Sequence, residues 1–311
     1  MPGQHPVQQL VQMIDDNSWV IGDHLLLTRQ LSNKNYLCSW SDGNGSFYAL
    51  SDVPRLLPPS GQLPPTSAIQ RIHEAGDCAA VWRAGDAFLK VRDLDEFELQ
   101  STREHVTLAA LHKRGGLSFT IPECLYYALW DLRYFMVLKK VPGELLDEVW
   151  PTIDESGRRY YVHRAVSICK ELEKWEADYI GGVDGKELSD RFMRRRGAPN
   201  DFSCQNIAAN AKEMSMNCSS FKFYHCDMGP RNLLVNTGDG TMSVIDWETA
   251  GFVPREWIRT KFHISSGMDL KEPDATVSDA YDSSDWRVRV GRQLGAEGFP
   301  EVIDCWIKWW S

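Results

Sequence analysis

The chain has 311 residues, 43% apolar and 25% charged, which suffices for one large domain or for two lobes around a cleft and is ordinary for a soluble globular protein. A formal net charge of −9 argues against non-specific nucleic-acid binding by the whole surface but not against a local basic patch. No apolar run reaches the roughly 18 residues of a membrane span, Met1 to Asp16 lacks the blocks of a signal peptide, and the eight cysteines show neither a CxxC pair nor zinc spacing, so a reduced, cytoplasmic protein with buried free thiols is expected.

Val7 to Ile14 reads as a short amphipathic helix, and Leu25 to Leu27 and Phe47 to Leu50 as strands around the Gly43-Asn44-Gly45 turn. Leu57 to Pro65 carries four prolines and reads as a linker or surface loop. Ile69 to His73 and Ala79 to Trp82 are expected as strands joined by Glu74-Ala75-Gly76-Asp77, with Ala87 to Val91 a third strand after the Gly85-Asp86 turn. Ser101 to Lys113 has helical spacing, with Val106, Leu108, Ala109 and Leu111 available for packing and Gly115-Gly116 as the stop. Leu125 to Leu129 and Tyr134 to Leu138 complete a small antiparallel sheet with one helix, which Pro142-Gly143 ends as a hinge. Tyr160 to Trp175 is again helical, and Lys222 to Tyr224 a short strand. Leu233 to Val235 and Met242 to Ile245 form a hairpin about Thr237-Gly238-Asp239-Gly240. The tail alternates loops and helices and ends in Trp306, Trp309 and Trp310, the mark of an anchored terminal helix. Arg191, Arg194, Arg195 and Arg196 form either a solvated face or an anion site for phosphate, nucleotide or RNA.

The chemistry concentrates in Tyr224-His225-Cys226-Asp227-Met228-Gly229-Pro230-Arg231-Asn232 and in Val244-Ile245-Asp246-Trp247-Glu248. Asp227 precedes Asn232 in a tight loop held by Gly229 and Pro230, and the hairpin delivers Asp246 to the same place. Two carboxylates and an amide oxygen are hard donors, which suit Mg²⁺ and not zinc. Phosphoryl transfer needs this set: Asp227 as base or positioner of the attacking hydroxyl, and Asn232 with Asp246 as metal ligands. His225 is expected to support the loop. Lys90, in Phe88-Leu89-Lys90-Val91, is a costly charge among apolar residues unless it meets phosphate or a carboxylate, which Glu104 can supply; Glu96 and Glu98 are nearby alternatives.

H-x-D-x-x-x-x-N followed 14 residues later by I-D-W-E resembles the aminoglycoside phosphotransferase and choline kinase family, a branch of the protein-kinase-like fold. Ile245 to Pro254 looks like the family's fungal members, and the similarity covers roughly residues 69–265. The resemblance implies an α+β, bilobal protein-kinase-like fold. Residues 1–65 would be an N-terminal extension, 66–141 a nucleotide-binding N-lobe with an antiparallel sheet and a helix, and 142–311 a larger, mostly helical C-lobe with the catalytic loop and acceptor site. Lys90 would hold the nucleotide phosphates and Glu104 would orient it. The backbone of Lys139, Lys140 and Val141 would meet the adenine edge, and the bulky apolar Val81 and Leu138 either sandwich the ring or are simply core. The acceptor pocket would be built from the helical part, roughly 160–220.

The sequence departs from that pattern at two places. No G-x-G-x-x-G is present, so Glu74 to Cys78 must serve over the phosphates, and Asp77 would repel them unless it faces away. Cys226 stands where the family has Gly and is either a small loop residue or a nucleophile. Arg255 to Phe262 either lines the acceptor pocket or caps a helix with surface charge. The leading expectation is transfer of the ATP γ-phosphate, with Mg²⁺, to a hydroxyl of a small metabolite. A second is a scaffold reused for aminoacyl-tRNA-dependent amide-bond (cyclodipeptide) formation, with Arg191 to Arg196 meeting RNA phosphates and Asp227 selecting a cationic amino acid. A third is a nucleotide-binding pseudoenzyme.

Overall fold

The computed structural model describes residues 6–31, 36–56, 59–272 and 282–311. Leu57 and Pro58 of the expected linker, and the first five residues of Met1 to Asp16, lie outside them. Two compact units emerge, Met1–Glu96 with Pro122–Lys140, and Phe97–Ile121 with Val141–Ser311.

The first unit is built from antiparallel strands. They are β1 (Val11–Asp15), β2 (Ser18–Ile21), β3 (Leu25–Gln30), β4 (Cys38–Ser41), β5 (Phe47–Asp52), β6 (Gly61–Gln62), β7 (Ile69–Ala75), β8 (Ala79–Ala84), β9 (Ala87–Asp93), β10 (Cys124–Trp130) and β11 (Arg133–Lys139). Strands β1 to β6 form a sheet in the order β4-β5-β3-β2-β1-β6, and the others a sheet in the order β10-β11-β9-β8-β7. The helix expected over Val7 to Ile14 is instead a single 3-10 turn, Val7–Gln9, followed by β1. The reason is pairing: Val11, Gln12 and Met13 find backbone partners in Ile21, Val20 and Trp19, and that ladder outweighs a helical stretch too short to stand alone.

The described part of 1–65 thus carries a sheet of its own, and it shares one apolar core with the five-stranded sheet. Trp19, Trp40, Tyr48, Trp82 and Phe135 lie in that core. Fully burying each such side chain stabilises the unit by roughly 1.5–3 kcal/mol. Trp40 keeps its indole satisfied by donating to the Ala84 carbonyl at 2.7 Å. The Gly43-Asn44-Gly45 turn is held by Asp42, whose Oδ1 accepts the N–H groups of Asn44 and Ser46 at 2.7 and 2.9 Å. Gly85 at φ 58° has no alternative, since a Cβ there would stand 2.6 Å from the Asp42 Cα.

The second unit carries α1 (Glu104–Arg114), β12 (Glu144–Leu145), α2 (Leu146–Val149), α3 (Glu155–Leu172), β13 (Glu176–Ala177), α4 (Cys204–Glu213), β14 (Phe221–Tyr224), β15 (Leu233–Val235), β16 (Met242–Val244), β17 (Gly251–Val253), α5 (Arg255–Ile264), α6 (Asp285–Ala296) and α7 (Ile303–Trp310). Helix α1 starts later than Ser101 because Ser101 and Thr102 are held elsewhere: Ser101 bridges Glu187, and the Thr102 hydroxyl donates to Asp184 at 2.5 Å. Helix α3 starts earlier than Tyr160, where Asp154 caps it by accepting the Gly157 N–H at 2.8 Å. Trp150, Trp247, Trp257 and Trp286 are fully buried, and each donates its indole N–H: to Asp285, to the Val244 carbonyl, to Asp190 and to the Met228 carbonyl. Through that last bond α6 supports the loop after β14. The terminal α7 is anchored, with Trp306 donating to the Phe192 carbonyl at 3.0 Å and Trp309 to Glu213 at 2.8 Å.

The cysteines are free but not uniformly buried: Cys169 and Cys226 are inside, Cys78 is exposed and the others are half-buried. Among the described residues no helix is long and apolar enough to cross a membrane.

Candidate active site

Strand β14 is almost wholly buried and runs into the segment where the sequence concentrates its polar groups. Two left-handed residues shape that segment. Cys226 at φ 63° turns the chain so that Asp227 leaves the strand, and Asp246 at φ 64° does the same at the end of β16. L-residues enter this region at a cost of about 1–2 kcal/mol, so two instances within one constellation mark a backbone held by its surroundings. The surroundings are identifiable. The imidazole of His225 accepts the Asp227 N–H on Nδ1 at 3.3 Å, which leaves Nε2 protonated to donate to the Ile245 carbonyl at 2.9 Å. The Asn232 carbonyl accepts the Ile245 N–H at 2.9 Å. One neutral histidine and one backbone bond therefore tie the Asp227 loop to the Asp246 turn, and His225 is scaffold. Pro230 begins the 3-10 turn Pro230–Asn232, where its missing N–H is no loss.

Asn232 aims its amide nitrogen back at Asp227, donating to the backbone carbonyl at 2.8 Å and to Oδ2 at 3.0 Å. Its amide oxygen is then the end it can offer a cation. Burial pushes the Asp227 carboxyl up to about 6; Lys261 pulls it down, Asp246 and Asp190 push it up, and the Asn232 hydrogen bond offsets part of the rise. A carboxylate so placed is poised to take a proton near neutral pH.

Asp246 belongs to an acidic group. Carboxylate oxygens of Glu104, Asp246 and Glu248 lie within 4.8 Å of one another. Glu104 is brought there by α1 and held by the Trp247 N–H, which donates to its Oε1 at 3.0 Å. The group offers oxygen donors only, the set a hard cation such as Mg²⁺ takes.

Beside the loop lies a closed ion pair. Lys261 Nζ donates to both oxygens of Asp190 at 2.6 Å, with the two side chains 5% and 1% exposed. Trp257 Nε1 and the Phe192 N–H also donate to Asp190, at 2.9 and 3.1 Å, and the ammonium sits 4.7 Å from the Phe192 ring centroid. The cations of Arg255 to Phe262 are all engaged internally: Arg255 with Glu173, Arg259 with the Gly291 and Phe299 carbonyls, Lys261 with Asp190.

A scan against family models matches residues 70–257, more than half of the chain, to the phosphotransferase enzyme family. The chain belongs to that family. Among solved structures it is similar to an aminoglycoside phosphotransferase, APH(3'')-Id from Streptomyces rimosus, with 14% identity, a TM-score of 0.51, and 78% of this chain and 90% of that one covered. It is also similar to the GDP complex of aminoglycoside 2'-phosphotransferase-IIIa (13% identity, TM-score 0.44, 77% and 90% covered) and to choline kinase LicA from Streptococcus pneumoniae (13%, 0.40, 76% and 79%). No curated protein matches it in sequence. The fold of this phosphotransferase is therefore α+β and protein-kinase-like, a sheet unit and a mostly helical unit.

The remaining candidate residues have mixed surroundings. Lys90 lies on β9 opposite Val81 of β8 and Met136 of β11, and Leu138 pairs with Phe88. Opposed residues share a sheet face, as do residues two apart, so Lys90, Val81 and Leu138 point the same way. Glu104 lies in the second unit, where it holds Trp247. At the hinge, the Lys139 and Lys140 N–H groups donate to the Glu123 and Asp86 carbonyls at 2.9 and 2.8 Å, so what these two offer a base edge is carbonyl oxygen; Val141 begins the next stretch of the second unit. Asp77 turns toward Gln8, whose amide donates to its Oδ1 at 3.1 Å. The arginine run is also partly consumed: Arg191 lies over Phe192, Arg194 donates to the Ala198 carbonyl, Arg195 pairs with Glu213 and covers Trp309, and Arg196 is exposed. The thiol of Cys226 is wholly buried, and burial drives its pKa well up, which removes the nucleophile reading. Sequence reasoning did not single out Glu248 as a ligand, although it stands in the I-D-W-E string, nor the Asp190–Lys261 pair, which carries no local signal.

Proposed function

We propose that this phosphotransferase moves the γ-phosphate of ATP to a hydroxyl of a small molecule, with Asp227 as the base. The observation that carries the reading is the juxtaposition of Asp227, its pKa raised by burial, with Asn232 of the same loop and with the Glu104–Asp246–Glu248 acidic group, to which α1 adds Glu104. Asn232 and Asp246, with Glu248 beside them, would hold Mg²⁺. When bound, that ion neutralises charge on the phosphate oxygens. Asn232 fixes Asp227 by Oδ2 and leaves Oδ1 to orient the acceptor hydroxyl and receive its proton. The acceptor oxygen then bonds the γ-phosphorus as the bond to the β–γ bridging oxygen breaks. Lys90, with Val81 and Leu138 on its sheet face, is the proposed nucleotide wall, and the hinge carbonyls are the proposed contact to the exocyclic amine of adenine.

Calorimetric titration of Mg²⁺-ATP into RNA-free protein tests the reading. Wild type should bind in a metal-dependent way, and Asp246→Ala should weaken binding by about tenfold or more, about 1.4 kcal/mol. Asp227→Ala should lower turnover by about 10²–10⁴-fold, the usual worth of a general base, while changing nucleotide affinity by no more than about twofold. Absence of binding at millimolar nucleotide would reject the proposal.

A further inference from the structure

The two carboxylate oxygens of Asp227 face different neighbours. Oδ2 takes the Asn232 amide, whereas Oδ1 lies toward Gly267, in the segment Ser265 to Asp269 that follows α5. A Cβ built on Gly267 would lie 3.9 Å from Asp227 Oδ1 and 3.4 Å from the Ser265 hydroxyl, both ordinary van der Waals distances. Gly267 and Ser266 are exposed, while Ser265 and Met268 are buried. Its backbone is not in the left-handed region, and the turn Ser266–Met268 is ordinary 3-10 geometry. Neither strain nor crowding accounts for glycine at 267, unlike at Gly229. There a Cβ would stand 2.8 Å from the Gly267 carbonyl oxygen and 3.1 Å from the Met268 Cα, so that glycine lets the two segments touch.

The turn is also held in place. The Met268 and Asp269 N–H groups donate to the Ser265 and Ser266 carbonyls, the Leu270 N–H to the Ser283 carbonyl, and the Lys271 N–H to Asp147 at 2.6 Å. Upstream, α5 is fixed by the buried Lys261–Asp190 pair. A turn so braced, exposed at Ser266 and Gly267 and lacking a side chain at 267, borders the proposed base on its Oδ1 side.

We propose that Gly267 is a specificity-determining position. The Ser265–Asp269 turn forms the acceptor-side wall, and the missing side chain leaves room beside Asp227 Oδ1 for the carbon that bears the acceptor's hydroxyl. This rests on the reading of Asp227 as the base. It places the acceptor wall outside the 160–220 stretch that the family resemblance points to, and makes room at 267 a limit on which hydroxyl compounds enter.

The test uses the full chain carrying Gly267→Cys, with wild type and its native cysteines treated in parallel and adducts located by peptide mass spectrometry. In the first arm, labelling at 267 is timed with a cationic trimethylammonium-ethyl and an anionic sulfonatoethyl methanethiosulfonate. The cation should react severalfold faster, and Asp227→Asn should shrink that ratio severalfold. An unchanged ratio overturns the placement of 267 beside Asp227. In the second arm, Mg²⁺-ATP hydrolysis is measured with water as the acceptor after methyl or benzyl thiolation. The benzyl adduct should lower turnover at least about tenfold more than the methyl adduct while Mg²⁺-ATP affinity holds. Equal turnover of the two adducts, or loss of nucleotide affinity in step with turnover, overturns the proposal. If the untreated wild type neither binds nor hydrolyses Mg²⁺-ATP, the reading of function fails and the acceptor wall falls with it; the charge-dependent labelling ratio tells that failure apart from a wrong geometry.

Discussion

Two aspartates of the second unit show how environment divides one side chain into two tasks. Asp190 is 1% exposed and saturated: both oxygens meet the Lys261 ammonium, and an indole and a backbone N–H complete its shell. Asp227, among the described residues, takes one side-chain hydrogen bond from Asn232, and its carboxyl is pushed up to about 6 by burial, with Asp246 and Asp190 adding to the rise. A carboxylate given a contacting cation and two further donors is an anchor. One given a single neutral donor, with burial and like charges outweighing the pull of Lys261, is suited to the role of base proposed for it.

The comparison breaks most visibly if the anchor is cut. Lys261→Met should destabilise the protein by about 3–5 kcal/mol, because it strands a buried carboxylate. Adding Asp190→Asn should recover part of that loss, since the amide oxygen still accepts from Trp257. Urea unfolding followed by tryptophan fluorescence gives both numbers, and a loss below about 1 kcal/mol for Lys261→Met would mean that the pair is solvated and the contrast false.

Asp227, the proposed base, should answer with the opposite sign. A folded-state pKa raised from 3.8 to about 6 means that the ionised carboxylate costs stability above pH 6, that the cost shrinks as pH falls from 6 toward 3.8, and that it is gone below. Asp227→Asn is therefore expected to stabilise the metal-free protein at pH 8 by about 1–3 kcal/mol, from the two-unit rise, and by nothing at pH 3.5, measured by denaturation in chelator. With Mg²⁺ offsetting the Asp246 charge, wild-type turnover should fall about tenfold per pH unit below a pKa no higher than about 6. Destabilisation by Asp227→Asn at pH 8 would make Asp227 a second anchor.

Legibility in the sequence falls with the distance between partners along the chain. The loop and hairpin from Tyr224 to Glu248 are legible because their geometry is local: Gly229 and Pro230 close the loop, and five-residue and 14-residue spacings deliver Asn232 and Asp246. The hairpins of β7 to β9 are legible for the same reason, being alternation punctuated by Gly76 and Gly85. Asp190 and Lys261 are 71 positions apart, and each alone reads as a surface charge. Gly267 looks like any loop glycine until the fold sets Asp227 beside it. The sheet of β1 to β6 is half-visible, since its strands are short and its core partners Trp82 and Phe135 lie far downstream.

The smallest effect is expected at Cys226, and it bears on the base directly because this residue turns the chain into Asp227. Its φ of 63° is one a glycine adopts freely, so Cys226→Gly relieves about 1–2 kcal/mol of backbone strain. Against this, the substitution empties a fully buried site of its side chain, about 1 kcal/mol of transfer free energy, and adds about 0.5–1 kcal/mol of chain entropy to the unfolded state. The terms nearly cancel, so stability should move by less than about 1 kcal/mol. Turnover should stay within about threefold, because the loop geometry is kept and a thiol whose pKa burial holds well above its ordinary value is neither nucleophile nor base at neutral pH. A fall of about 100-fold in turnover with stability intact would instead put the thiol in the chemistry, and Asp227 would then have to be read as its orienting partner and not as the base.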